Sequence, residues 1–131
     1  MSQENVAVVR AIYDHFNRVG EPKWDLFRPE AVMDASSVPG FSVVSGRDAT
    51  LAALREYAAA FEEWRVEPEE IVDAGGDFVF AAVRDGGRIK GTDDEIFNRF
   101  FHAWELRDGK VVAWRTFQTR NQALEAAGLS E

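Results

Sequence analysis

Residues 96–118 restrict this chain more than any other stretch. Two alternating runs, Ile96 to Leu106 and Val111 to Gln118, flank Asp108-Gly109, a pattern that reads as one long β-hairpin with a single buried face. In the first run the even positions are Ile96, Asn98, Phe100, His102, Trp104 and Leu106. The odd positions are Phe97, Arg99, Phe101, Ala103, Glu105 and Arg107. Charge falls only on the odd set, so the even set faces the interior. In the second run the even set is Val112, Trp114, Thr116 and Gln118, while Arg115 sits with Val111, Ala113 and Phe117.

Register decides whether the two even sets share a face. A two-residue turn at Asp108-Gly109 pairs Leu106 with Val111 and sets Trp114 beside Glu105 and Arg107. A three-residue turn, Arg107-Asp108-Gly109 with Gly109 left-handed in a bulge, pairs even with even. The second arrangement buries Trp104 with Trp114, worth several kcal/mol at ~25 cal/mol per Å² of aromatic surface. The expectation is the three-residue turn.

Other elements must pack on that hairpin. Val6, Val9, Ile12, Tyr13 and Phe16 recur at helical spacing until Gly20-Glu21-Pro22. A short helical turn with Trp24 and Phe27 follows, then a strand over Ala31 to Ala35 and a loop over Ser36 to Gly40. Ser45-Gly46-Arg47-Asp48 has the spacing of a capping box opening a second helix, with Leu51, Leu54, Ala58 and Phe61 as its stripe and Tyr57 and Trp64 at the flank. Further strands span Val66–Ala74 and Phe78–Arg84, with Gly75-Gly76 and Asp85-Gly86-Gly87 as punctuation. Thr119 and Gln122 cap a last helix from Arg120 to Ala127, stopped by Gly128. Helices first and strands after predict one α+β domain over residues 1–131, with helices packed on one face of a curved antiparallel sheet.

A chain of 131 residues suits a single domain. Its net charge of −8 argues against recognising nucleic-acid phosphates. The acidity is concentrated between Glu62 and Asp77, where a solvated face explains it. With no cysteine and two histidines, thiolate chemistry is excluded and no metal site is expected. Met1 to Asn5 lacks the basic and apolar regions of a signal peptide, and the apolar run Phe78 to Val83 is too short to cross a bilayer. The expectation is a soluble, cytoplasmic protein that meets neither nucleic acid nor membrane.

The interior face of the hairpin then carries Asn98, His102, Thr116 and Gln118 among Phe100, Trp104, Trp114 and Leu106. Uncharged polar groups in an aromatic wall are the make-up of a small-molecule pocket, although each could instead be hydrogen-bonded inside a closed core. His102 is the one titrating group on that face, and Tyr13 is a further neutral donor. Asp34 is the one carboxylate that can join it, if its strand is turned that way. The alternation of Val32 and Asp34 against Met33 and Ala35 points it outward. Arg84 reads as a surface residue at a strand end, and Tyr57 and Trp64 as core or rim.

The string from Phe101 to Val112, followed by Trp114-Arg115 and by Ala123 to Leu129, resembles the SnoaL-like branch of the nuclear transport factor two-like superfamily. Tyr13 to Asn17 and Gly46 to Ala49 fit the same pattern. The resemblance implies a cone-shaped α+β barrel, its curved sheet wrapped around N-terminal helices, with a deep hydrophobic pocket and a homodimer. Its members include polyketide cyclases, ketosteroid isomerases, scytalone dehydratases and limonene epoxide hydrolases. The resemblance puts His102 where the cyclases place a pocket histidine and the isomerases a protonated aspartic acid. It puts Thr116 where the cyclases carry their acid/base aspartate, and threonine cannot shuttle a proton near neutral pH. The isomerase tyrosine aligns with Ile12, one residue before Tyr13, and the isomerase base with Ala35, one after Asp34. No mechanism of the family transfers intact.

Two functions stand. One is a cofactor-independent cyclase or isomerase for a small hydrophobic carbonyl compound, with His102 as acid/base and Asp34 as its partner. Tyr13, Asn98, Phe100, Trp104, Trp114, Thr116 and Gln118 would line its pocket. The other is a homodimeric protein that holds a similar apolar molecule without converting it. A carboxylate in the pocket favours the first, and a neutral lining the second. Phe97, Phe101 and Phe117 on the outer face predict a dimer joined through that face.

Overall fold

The computed structural model describes residues 2–129. Helix α1 (Ser2–Val19) leads through a 3-10 turn at Trp24–Leu26 to β1 (Phe27–Asp34), β2 (Val43–Ser45) and helix α2 (Arg47–Ala58). Strands β3 (Arg65–Gly75), β4 (Phe78–Arg88), β5 (Glu95–Arg107) and β6 (Lys110–Phe117) follow, and helix α3 (Arg120–Ala126) ends the order. The six strands form one curved sheet in the order β2-β1-β6-β5-β4-β3. The sheet stays open, so the cone is not a closed barrel, and it is not wholly antiparallel because β1 runs parallel to β6.

Helix α1 buries Val9, Ile12, Tyr13 and Phe16 against the concave side of the sheet, where they meet Val79, Ala81, Val83, Trp104 and Leu106. Gly20 stops it at φ 84°, a left-handed conformation that costs glycine little. Asn17 then fastens the helix end to β3: its carbonyl accepts from the Val66 amide at 2.8 Å and its amide donates to the Val66 carbonyl at 2.7 Å.

The hairpin keeps its predicted faces by an unpredicted route. Asp108 and Gly109 make a two-residue turn with positive φ at both positions, pairing Arg107 with Lys110 and Leu106 with Val111. A bulge at Val112 then shifts the register, so that Glu105 faces Ala113, Trp104 faces Trp114 and His102 faces Thr116. The three-residue turn is absent, and the bulge inside β6 does its work. The indoles of Trp104 and Trp114 stack with centroids 4.9 Å apart and planes 5° from parallel.

Four further expectations need correction. Ser45 does not cap α2. It is held as the last residue of β2 opposite Val32, and the cap position falls to Gly46, with no side-chain bond. Strand β1 begins at Phe27, four residues early, and Pro29 sits where the pairing with β6 is irregular and no amide is required of it. Phe101 and Phe117 are not an open outer face: they pack with Phe80 under α3, against Ala123 and Leu124. Phe97 is half-buried beneath the Arg84 guanidinium, 4.1 Å from its ring centroid.

The fourth concerns Asp85-Gly86-Gly87, which is no turn. Strand β4 runs through it to Arg88, with all three residues buried. Neither glycine adopts positive φ. Both are there for space: a Cβ on Gly86 would stand 1.9 Å from the Ile96 carbonyl oxygen, and one on Gly87 2.1 Å from that of Glu63.

Candidate functional site

Continuing β4 through Asp85 changes the chemistry of the interior. Val79, Ala81, Val83 and Asp85 alternate onto the concave face, so the strand delivers a carboxylate into the core, where Asp85 is 7% exposed. The Tyr57 hydroxyl donates to its Oδ1 at 3.0 Å and the Trp64 indole to the same oxygen at 2.8 Å. Oδ2 keeps no protein hydrogen bond among the described residues. Burial outweighs the two donors and pushes the Asp85 carboxyl up to about 6. Burial, followed by the charge of Asp85, pushes the Tyr57 phenol up, so it stays a donor.

Across the same wall, on β5, His102 is 2% exposed. The Trp104 indole, which can only donate, points its N–H at the Tyr13 hydroxyl at 2.8 Å, and that hydroxyl lies 2.6 Å from His102 Nδ1. If Nδ1 carried the proton, the Tyr13 hydroxyl hydrogen would be buried without an acceptor. Tyr13 therefore donates to Nδ1, and the neutral ring carries its proton on Nε2. Burial pushes the imidazole down to about 3, in keeping with that neutral form. His102 is thus a hydrogen-bond donor at neutral pH rather than the titrating acid/base expected of it. Tyr13, its own pKa raised by burial, sets the tautomer from beneath.

Asp85 and His102 line one chamber of about 90 Å³ together with Phe100, Trp114 and Thr116 on the sheet and Leu54 and Tyr57 on α2. A wider outer hollow of about 420 Å³ shares Met33, Ala35, Phe41, Ala53 and Tyr57 with it. In β4–β5 pairing Ala81 faces His102 and Asp85 faces Asn98, so the two polar groups stand four residues apart along the sheet, ~13 Å between backbones at ~3.3 Å per residue. Both side chains line the one apolar slot from strand positions that far apart.

Of the residues singled out from sequence, His102, Phe100, Trp114 and Thr116 come together here. Trp104 and Tyr13 form the layer behind them. Asn98 and Gln118 lie exposed at strand ends, outside the chamber. Asp34 is also outside: its Oδ1 accepts from the Ser36 amide at 3.0 Å and hydroxyl at 2.6 Å, and those bonds hold its pKa down, while Met33 and Ala35 face the chamber. Asp85, Tyr57 and Trp64 are the residues that sequence reasoning passed over. The alternation begun at Val79 points to Asp85 once the glycines are not read as a turn.

The Asp85 carboxyl makes stability depend on pH in a defined sense. An unfolded aspartate loses its proton near pH ~4, whereas the native one keeps it to about 6. Between those values the folded state binds more protons, so stability falls as pH rises through the window and the full cost is present above it. Asp85→Asn should therefore be more stable than wild type at pH 8, by on the order of 2–3 kcal/mol, with the difference vanishing near pH 3.5. His102 acts with the opposite sign between about 3 and 6.5, but it is common to both proteins and cancels. Urea unfolding of the pair at both pH values is the check; an equal difference at pH 8 and 3.5 would contradict the assignment.

An open curved sheet enclosing a small polar-ended slot defines a class, the nuclear transport factor two-like cone folds. Within it, residues 9–114 match the SnoaL-like domain, and the chain belongs to that family. Solved structures agree on the fold. The chain is similar to a putative SnoaL-like polyketide cyclase from Jannaschia sp. CCS1, with a TM-score of 0.73, 20% identity and coverage of 96% of this chain and 92% of that one. It is similar to a protein with a ketosteroid isomerase-like fold from Catenulispora acidiphila DSM 44928, solved with trimethylamine, at TM-score 0.69, 18% identity and coverage of 93% and 92%. TerC, co-crystallised with polyporic acid, gives TM-score 0.74 and 18% identity over 93% of this chain and 98% of that one. At such identities the likeness speaks for the fold alone. No curated protein matches the sequence. Among the described residues no helix is long and apolar enough to cross a membrane, and no cluster of side chains is suited to hold a metal ion.

Proposed function

We propose that this chain is a cofactor-independent acid–base enzyme of the isomerase or cyclase type, acting on a small, flat, hydrophobic carbonyl compound. The observation that carries the reading is the pairing, in one apolar slot, of a carboxylate poised near neutrality with a neutral histidine of fixed tautomer. A general base works best with a pKa close to the operating pH, and a fixed N–H stabilises charge where it develops. Asp85 Oδ2 takes a proton from the carbon next to the carbonyl. The electron pair moves to the carbonyl oxygen, and His102 Nε2–H donates to the resulting enolate. Asp85 then returns the proton at another carbon, giving an isomer, or protonates the alkoxide formed when the enolate attacks a second carbonyl, giving a ring. Trp114 and Phe100 flank the reacting carbons, and the apolar body extends into the outer hollow past Met33, Phe41 and Tyr57. The co-crystallised ligands of TerC and of the Catenulispora protein are in line with a small-molecule slot.

Proton–deuterium exchange at the α-carbon of 2-tetralone, followed by NMR in D₂O, tests this without knowledge of the true substrate. Wild type should accelerate exchange, Asp85→Asn should lose at least ~100-fold of that acceleration, and His102→Phe should lose less while keeping the pH dependence of Asp85. Exchange unchanged in Asp85→Asn would sink the catalytic reading.

A second reading is a non-catalytic binding protein for a small apolar ligand, dimeric through the outer sheet face. It is favoured by the two hydrogen bonds on Asp85 Oδ1, which also suit a purely structural carboxylate. Ligand binding without exchange, together with a dimer mass by light scattering at micromolar concentration, would establish it; a monomer mass removes the dimer.

A further inference from the structure

Trp114 separates the slot from a different hollow that the proposed reaction does not use. This hollow, of about 270 Å³, lies between the 3-10 turn, β1 and the start of α2, with Arg28 and Arg47 among its lining side chains. Among the described residues no carboxylate lines it, although the chain as a whole carries a net charge of −8. Arg47 lies over the Trp24 ring, 5.3 Å from its centroid, and no carboxylate among the described residues pairs with it.

Two donors in this lining are left over. Arg28 spends one terminal nitrogen, Nη2, on the Arg107 carbonyl and the Asp108 carboxylate, both at 3.3 Å, but its Nε is buried with no partner. Trp114 Nε1 is buried as well, and neither nitrogen has a partner among the described residues. The chain has four tryptophans, and the other three indoles donate to Glu21, Asp85 and the Tyr13 hydroxyl. Buried N–H groups are nearly always paired, so two orphans in the wall of one hollow ask for an acceptor from outside the chain. Gly46 adds a helix start with no side-chain cap at the same rim. The remaining lining is apolar, including Phe27, Val32 and Met33.

The geometry points to a binding site for a small organic acid, its carboxylate held by Arg28, Arg47 and the Trp114 indole and its aromatic or alicyclic body against the apolar wall. Guanidinium groups match a carboxylate's planar oxygens, and an aromatic ring fits, since a cavity of roughly 150 Å³ already takes benzene. Arg28 and Arg47 stand apart from the Asp85 and His102 machinery, whereas Trp114 lines both hollows.

Titrating ¹⁵N-labelled protein with benzoate, benzamide and inorganic phosphate separates the possibilities. The Trp114 indole resonance, assigned by its loss in Trp114→Phe, should move downfield with benzoate, while the Trp104 indole, already bonded to Tyr13, stays near its place. Benzamide should bind at least tenfold more weakly, Arg47→Gln should weaken benzoate at least tenfold, and phosphate should produce little shift. Equal affinity for benzamide, equal affinity for phosphate, or full benzoate affinity in Arg47→Gln would each overturn the proposal. Arg47→Gln changes an exposed position on α2, so a folded variant is expected, and its spectrum verifies that directly.

Discussion

Gly87→Ala should cost the protein more than about 4 kcal/mol of stability or leave it insoluble, and Gly86→Ala should do the same. The atoms in the way are backbone, not the ends of flexible side chains. The new Cβ on residue 87 meets the Glu63 carbonyl oxygen at 2.1 Å and carbon at 3.0 Å, and the one on residue 86 meets Ile96 and Phe97 backbone atoms at 1.9–2.9 Å. For residue 87 the relief is to swing the segment after α2 off the sheet, which breaks the Glu62 amide bond to the Arg88 carbonyl and pulls Trp64 from Asp85. Gly91→Ala is the control. Its φ of 80° strains an alanine, but nothing lies within 4 Å, so the loss should be only about 1–2 kcal/mol. Urea midpoints of the three variants decide it, and a Gly87→Ala protein within 1 kcal/mol of wild type would refute the account of β4.

Tyr13→Phe is expected to cost about 2–4 kcal/mol while removing a single oxygen atom. That atom accepts from the Trp104 indole and donates to His102 Nδ1, both nearly devoid of solvent contact, and each is orphaned by the change. The loss of packing volume is small, so the cost measures polar groups left dry. A second readout distinguishes this from a general loosening. In wild type, ¹⁵N spectra of the His102 ring should show the proton on Nε2 alone, with no titration between pH 5 and 8. In Tyr13→Phe the tautomers should mix, because nothing then holds Nδ1 as an acceptor. Unchanged stability together with an unchanged tautomer would mean that the relay does not fix the ring.

Much of the architecture is legible in the residues themselves. The α1 stripe, the long hairpin and the Thr119 cap follow from periodicity and local chemistry, and each element formed. Errors came where a local signal competes with a distant contact. Asp85-Gly86-Gly87 reads as a turn because turns are the commonest reason for such a tripeptide; here the glycines yield to crossing backbones from Glu63 and Ile96, which no neighbour in sequence announces. Ser45 is a good cap by type, but pairing with Val32 removes it from the role. Strand β2, at three residues, is too short to show a pattern.

The site divides along the same line. His102 and Thr116 are readable because a period of two carries them inward with the tryptophans. The family's pattern points to Asp34 as the carboxylate beside His102, whereas the carboxylate that lines the chamber with His102 is Asp85, on the neighbouring strand. The tautomer of His102 could not be read from sequence at all, since it depends on the Tyr13 hydroxyl, 89 residues from His102 and 91 from Trp104.

The bulge at Val112 makes the site a matter of parity. Residues on the turn side of Val112 and residues beyond it count inward positions on opposite phases, odd at Val111 and even from Trp114 onward. Removing Val112 alone would take out the bulge and leave both faces in place, because Val111 already opposes Leu106 and Ala113 already opposes Glu105. Removing both Val112 and Ala113 would set Trp114 opposite Glu105, presenting Arg115 to the chamber and Trp114 and Thr116 to the outer face. The strand can therefore lose the one bulged residue without changing what lines the chamber, and the loss of a second turns everything beyond it over.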